Sequence, residues 1–336
     1  MINIKNLYPA LYKVVPGWIK GTYHCVTAGT GVGKSKFAKW SFALWGYWES
    51  KRTNTPFKCL WFAREESYEK FWATIRSDLL LEKYGETITY YQLRGYHPGL
   101  TEDIKQKLDE IEPIINDMKK YIIVIDNISN PTGILKEIEK HLLDFGSFHK
   151  EEGDFGSKKF TWDNPDSVVI AVIDHYGLIS TEPRNSIEPI KTTFEAIARM
   201  SSYFVDTICK QWGVIGVAIH QQIMTGDNLE HRKADLLVPT EDKLAGNKEV
   251  GRDYMYTWGL FSPAKYEKPT WFNYSVRKLG KHLTTLHLIK HRDGEADIVI
   301  PLYFHGVTNK YEELPAPLVK NDAGVLVENP ALINFY

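Results

Sequence analysis

Apolar residues in this chain gather into short unbroken runs separated by polar stretches, and five of the runs have the length of a buried strand: Tyr23–Thr27, Phe57–Ala63, Tyr121–Asp126, Val168–Asp174 and Gly213–Ile219. They are apolar at consecutive rather than alternate positions, the pattern of strands covered on both faces. Helical patterns separate them. The stretch Lys36–Trp48 is apolar almost all round and reads as a buried helix, and further helices are predicted over Tyr68–Lys83, Thr132–Phe145 and Ile187–Trp212. Strand alternating with helix up to Gln222 predicts an α/β fold with a mainly parallel sheet. Shorter runs at Tyr254–Phe261, Trp271–Val276, Thr284–Lys290 and Ile298–Phe304 predict an antiparallel extension at one edge.

The lead-in Met1–Lys20, punctuated by Pro9, Pro16 and Gly17, is too short to be a domain of its own. A polar stretch at about 147–166, after Gly146, reads as an exposed, mobile loop insertion of about twenty residues. Residues 1–314 are expected to form the core, and Pro315–Tyr336 a loosely attached tail. No internal repeat is visible.

One turn carries recognisable chemistry. Ala28-Gly29-Thr30-Gly31-Val32-Gly33-Lys34-Ser35 lies between the first strand and the first helix and fits G-x-x-x-x-G-K-[ST], with Ala28 at the first position. Glycines let backbone N–H groups turn inward around a phosphate, and the helix that follows aims its N-terminal dipole at the same charge. Lys34 then neutralises the β- and γ-phosphates, and the Ser35 hydroxyl is the expected Mg²⁺ ligand. A glycine-rich hairpin loop that binds nothing is the bland alternative, and the flanking strand and helix weigh against it.

Bulk properties narrow the class. With 43% hydrophobic and 13% aromatic residues, 336 residues suffice for a large core, and the aromatics, ten Trp included, are expected mostly inside it. A formal net charge of −1 excludes a generally basic nucleic-acid coat while leaving room for a local basic patch. Cys25, Cys59 and Cys209 match no metal spacing and read as buried thiols in a reducing compartment. No leader and no run of eighteen apolar residues is present, so the expectation is a cytoplasmic protein with no membrane span.

Acids at strand ends are the candidate partners of the phosphate turn, because open α/β sheets bind ligands at the carboxyl ends of their strands. Asp126 and Asp174 satisfy that pattern equally, and pattern alone does not separate them. Glu65 and Glu66 follow a third strand, where an acidic pair also suits the start of a helix.

From Pro16 to about Glu313 the chain resembles the RecA-like ATPase domain of the DnaB-type replicative helicases, and the resemblance rests on motifs in a fixed order. Pro16-Gly17 through Ser35 looks like the family's Walker A region. Leu60-Trp61-Phe62-Ala63-Arg64-Glu65-Glu66-Ser67 is similar to the strand that ends in the family's catalytic glutamate, which the resemblance puts on Glu65, with Glu66 its rival. Val172-Ile173-Asp174-His175-Tyr176 looks like the Walker B segment and selects Asp174 for Mg²⁺, although His175 stands inserted between the acid and the tyrosine. Ile219-His220-Gln221-Gln222 is similar to the segment whose glutamine senses nucleotide, here Gln221. Lys290-His291-Arg292-Asp293-Gly294 looks like the run that reaches the γ-phosphate of the next subunit, with Arg292 as arginine finger and Lys290 assisting; Asp-Gly is also a turn signal that would hold these cations out.

The resemblance implies a RecA-like P-loop fold, ATP and Mg²⁺ as cofactors, and a homo-oligomeric ring, usually of six subunits, that hydrolyses ATP at its interfaces and translocates on single-stranded DNA in replication. Loops at Thr181–Pro189 and Ile223–Glu249 would face the strand, the second carrying His231, Arg232, Lys233, Lys243 and Lys248. The chain starts almost at the ATPase core, so the family's separate N-terminal helical domain is not expected in it, and a loader, clamp or primase-like partner is. A second reading is a RecA-like DNA-binding ATPase or assembly factor without unwinding activity. A P-loop kinase of small molecules is a distant third, since it has no need of Arg292.

Overall fold

Every apolar run but Trp271–Val276 becomes a strand of one nine-stranded sheet, whereas Thr270–Trp271 and Tyr274–Ser275 pair as a separate small hairpin. A computed structural model describes residues 1–96, 99–149, 158–182, 190–222, 238–244, 248–306 and 308–336. Numbered in chain order, the sheet contains β1 (Tyr23–Ala28), β2 (Phe57–Ala63), β3 (Ile122–Ile125), β4 (Val168–Asp174), β5 (Ile215–Gln221), β6 (Tyr256–Phe261), β7 (Leu283–His291), β8 (Ile298–Phe304) and β9 (Tyr311–Glu313). Their spatial order is β9-β8-β7-β6-β1-β5-β4-β2-β3. The pairs from β6 across to β3 are parallel. Strands β7, β8 and β9 add antiparallel.

Consecutive apolar residues are explained by two cores, one on each face. Along β4, Val168, Ile170 and Val172 enter one cluster while Val169, Ala171 and Ile173 enter the other. The first cluster is covered by α1, which runs over 34–53, by α2 (Tyr68–Tyr84), by α3 (Glu102–Tyr121) and by the lead-in, whose Ile2, Ile4, Tyr8, Leu11 and Trp18 are buried. The second is covered by α4 (Pro131–Leu142) and by α5 (Thr193–Ser202), which continues as a wider π turn over Tyr203–Cys209. Trp18, Trp61, Trp72 and Trp258 are fully enclosed. Their indole faces are therefore committed to packing. All three cysteines are buried free thiols.

Two stretches depart from the sequence expectation. The insertion at 147–166 is not simply a loop: Gly146–His149 pairs antiparallel with Lys159–Trp162, and residues 150–157 lie outside the described residues. Alternation puts Phe148 and Phe160 on one side of this hairpin, where Phe160 is buried and Phe148 meets Trp212 edge-on at 5.1 Å. Two indole N–H groups fasten the contact, Trp162 donating to the Trp212 carbonyl at 3.0 Å and Trp212 to the Lys158 carbonyl at 2.9 Å. The tail is attached as well. Leu332 is 1% exposed among Tyr274, Leu279, Leu283 and Leu314, and a short hairpin of Leu318–Lys320 with Leu326–Glu328 precedes it.

Candidate active site

Parallel register places the predicted residues along one edge of the sheet. Ala28 at the end of β1 pairs with Gln221 at the end of β5, and Ala63 at the end of β2 pairs with Asp174 at the end of β4. The turn after β1 takes the left-handed backbone at Gly31 (φ 75°) and Gly33 (φ 101°), which glycine adopts without the steric cost of a side chain. At Gly33 a Cβ would also come within 2.2 Å of the Tyr311 hydroxyl, which donates to the Gly33 carbonyl at 3.1 Å. Helix α1 then begins at Lys34, which is buried.

The Ser35 hydroxyl donates to Asp174 Oδ1 at 2.9 Å. Asp174 is enclosed, and burial, reinforced by the Glu66 carboxylate, pushes its carboxyl up to about 7. This contact distinguishes the two strand-end acids. Asp126 instead accepts from the Tyr68 N–H at 3.2 Å and caps α2, while the Arg64 guanidinium donates to the Asp126 carbonyl at 2.8 Å. The inserted His175 leaves the Ser35–Asp174 contact intact. Its ring turns back so that Nδ1 accepts from the Gly177 N–H at 3.2 Å, and burial holds its pKa below the usual histidine value. Tyr176 lies on the opposite face, 4.8 Å from the ring of His220.

The two glutamates after β2 separate cleanly. Glu66 turns inward to Lys39 on α1, with Nζ 2.7 Å from Oε1, while its charge still reaches Asp174; Glu65 is exposed and lies within electrostatic range of both Asp174 and His175. Gln221 donates its side-chain amide to the Thr30 hydroxyl at 2.7 Å, directly on the phosphate turn. Gln222 points the other way, to Thr27 Oγ1 at 3.0 Å.

Lys290 and Arg292 are not part of this cluster. Tyr256 pairs with His24 at the start of β1 and with His291 at the end of β7, so the β7–β8 turn lies at the opposite edge of the sheet. There Lys290 donates to the Gly251 carbonyl at 2.8 Å and lies 3.2 Å from Glu241, and the exposed Arg292 donates to the Arg252 carbonyl. Most of the two expected DNA-facing loops, with His231, Arg232 and Lys233 and the side chain of Lys248, lies outside the described residues. Lys243 is described and donates to the Val238 carbonyl at 3.4 Å.

Two features of the site escape sequence reasoning. A cavity of about 700 Å³ opens beside the phosphate turn, lined by Gly31, Val32, Lys265, Lys281, His282 and Phe304. Lys265 reaches across it to donate to the Thr30 carbonyl. Beyond the lining residue Gly306, Asn309 is fastened to α2, where the buried Asp78 carboxyl accepts from both its N–H and its side-chain amide at 2.6 Å. Nothing in Pro263-Ala264-Lys265-Tyr266 marks that lysine. Lys39 did carry a signal, being the one cation within the apolar stretch Phe37–Trp48.

Among the described residues no helix is long and apolar enough to cross a membrane, and no group of three or more His, Cys, Asp or Glu is arranged to hold a metal. No family model and no curated protein matches the chain. Solved structures do. A DnaB-like replicative helicase, described with its interactions with primase, superposes with a TM-score of 0.61 at 15% identity, over 92% of this chain and 62% of that one. This chain therefore spans less than two thirds of that helicase's length. A second solved structure, an isolated ATPase domain, superposes with a TM-score of 0.62 at 15% identity, over 92% and 90% of the two chains. The chain has the fold of a DnaB-type, RecA-like ATPase domain.

Proposed function

We propose that the protein hydrolyses ATP at the interfaces of a homo-oligomeric ring and uses the energy to move along single-stranded DNA, as a helicase or translocase of the DnaB-like replicative type. The observation that carries the reading is the Ser35–Asp174 contact at 2.9 Å beneath a glycine turn that Gln221 also touches. A hydroxyl and a buried carboxylate are hard oxygen donors suited to Mg²⁺, which commonly takes only one or two protein ligands beside phosphate and water. A buried carboxylate whose proton affinity is raised is also one that a cation would relieve. Ser35 and Asp174 would hold Mg²⁺, whose charge would offset that of the phosphates.

The chain's own groups do the rest. Inward N–H groups of 28–35 and the Lys34 ammonium hold the phosphates, and the cavity beside Gly31 has room for the nucleoside, with Phe304 as an apolar wall. Glu65 orients or deprotonates the attacking water, and Gln221 reports on the phosphate turn through Thr30. Arg292, with Lys290, faces the γ-phosphate bound by the next subunit. Loops 181–189 and 223–249 take the strand. The interactions of the DnaB-like neighbour with primase make a primase-like or loading partner part of the reading.

The test is ATP turnover with and without single-stranded DNA, alongside strand displacement on a forked duplex. Stimulated turnover with displacement is expected, and Lys34→Ala removes both. Turnover without stimulation or displacement would leave an assembly ATPase and sink the helicase reading. Full turnover in Lys34→Ala would remove the phosphate-turn assignment.

A further inference from the structure

We infer that the buried ion pair between Lys39 and Glu66 is a positioning device for hydrolysis, tying the helix of the phosphate turn to the turn that presents Glu65. The inference rests on the reading of Glu65 as the base.

Lys39 is 2% exposed, one turn of helix beyond Ser35. Its ammonium lies 2.7 and 3.0 Å from the two oxygens of Glu66, donates to the Thr74 hydroxyl on α2 at 3.1 Å, and sits 4.6 Å above the Phe71 ring. Three elements therefore meet at one cation: α1, the turn after β2, and α2. The residues around Glu65 are fastened on every side. Arg64 donates its N–H to the Asp174 carbonyl and its guanidinium to the Asp126 carbonyl, Glu66 is held by Lys39, and the Ser67 hydroxyl caps α2 by accepting from the Lys70 N–H at 3.3 Å. Within that turn Glu65 is the carboxylate left exposed, within electrostatic range of Asp174 and His175.

Stability is a weak reason for such a pair, since a buried ion pair about breaks even against apolar residues of similar volume. Geometry is a stronger one. A base that must place water in line with a phosphorus atom loses on the order of a hundredfold in rate when displaced by about 1 Å. Through Lys39, a shift of the phosphate-turn helix carries the base turn with it.

The experiment compares steady-state turnover, fluorescent-nucleotide affinity and melting temperature in the assembled protein for Glu66→Gln, Lys39→Met, Lys39→Arg and the double variant Lys39→Met/Glu66→Met. Expected for Glu66→Gln and Lys39→Met is a kcat loss of roughly ten- to a hundredfold, with nucleotide Kd moved by less than about threefold. Lys39→Arg recovers most of the loss. The double variant melts near the parent, because no unpaired charge remains, yet keeps the low kcat. Should a single variant not fold, the double variant and Lys39→Arg decide alone. A kcat within about twofold of the parent in Glu66→Gln, or full recovery of kcat in the double variant, overturns the inference. Turnover that survives Glu65→Gln but vanishes in Glu66→Gln makes Glu66 the base, a failure of the underlying reading and distinct from the others.

Discussion

Mixing two inactive variants tests whether Arg292 acts across an interface. The parallel pairings put Ala28 beside Leu260 and His24 beside Tyr256, while Tyr256 also faces His291. Four residues of strand at ~3.3 Å each and two strand spacings of ~4.8 Å separate the end of β1 from the end of β7 by roughly 16 Å. An extended arginine side chain reaches about 7 Å by its bond lengths, so Arg292 cannot serve the phosphate turn of its own chain. Glu65→Gln and Arg292→Ala homo-oligomers are each expected to lose on the order of a thousandfold in turnover. In a 1:1 co-assembly, a site is whole when a chain with intact Glu65 meets a neighbour with intact Arg292, which happens at about one interface in four. Turnover should therefore rise to roughly a quarter of the parent if sites act independently, and less if they fire in sequence, with a maximum near equal proportions. The assay is phosphate release after mixing, subunit exchange and re-isolation of the oligomer. If turnover stays at the average of the two variants at every ratio, the intersubunit site is refuted.

Two further outcomes follow from packing and charge. Leu332→Ala truncates a side chain of the C-terminal tail that is 1% exposed, and should cost about 2–5 kcal/mol in urea unfolding; a loss under about 0.5 kcal/mol would mean the tail merely rests on the domain. His24 is enclosed, its Nδ1 accepting from the Trp258 indole at 3.1 Å, and burial lowers its pKa from 6.5 to about 3. Above pH 6.5 folded and unfolded states are both neutral at this ring. Between 6.5 and 3 the unfolded chain binds a proton that the folded one refuses, so stability drops by up to about 1.4 kcal/mol for each unit the pH is lowered. The stability slopes of the parent and of His24→Gln, measured between pH 6.5 and 5, should differ by that amount, and identical slopes would show the ring to be protonated in the fold.

The strands were legible because a sheet covered on both faces needs uninterrupted apolar runs, and the phosphate turn because its geometry demands glycines at fixed places. Asp126 and Asp174 could not be separated by pattern, since each ends such a run; register and the hydroxyl of Ser35 distinguish them only in three dimensions. Glu65 and Glu66 are likewise alike in sequence, and only the fold gives one of them an ion pair with Lys39. Pattern gave no element for Glu102–Tyr121, where Pro113 and many charges mask the apolar stripe of Ile111, Ile115 and Met118. The hairpin at Gly146–His149 is short and its partner distant, so only the alternating Phe160 and Trp162 hinted at it. Leu332, with Phe335 packed beside it, anchors the tail, and a segment that short has no period to read.

Hydrolysis that requires a neighbour is the central claim, and it is tested most directly by measuring particle mass and ATP turnover per chain in the same dilution series, with Mg²⁺ present. The account predicts that turnover per chain collapses as the assembly dissociates, and that single-stranded DNA or higher protein concentration restores both together. A monomer that turns over ATP as fast as the assembly would contradict it.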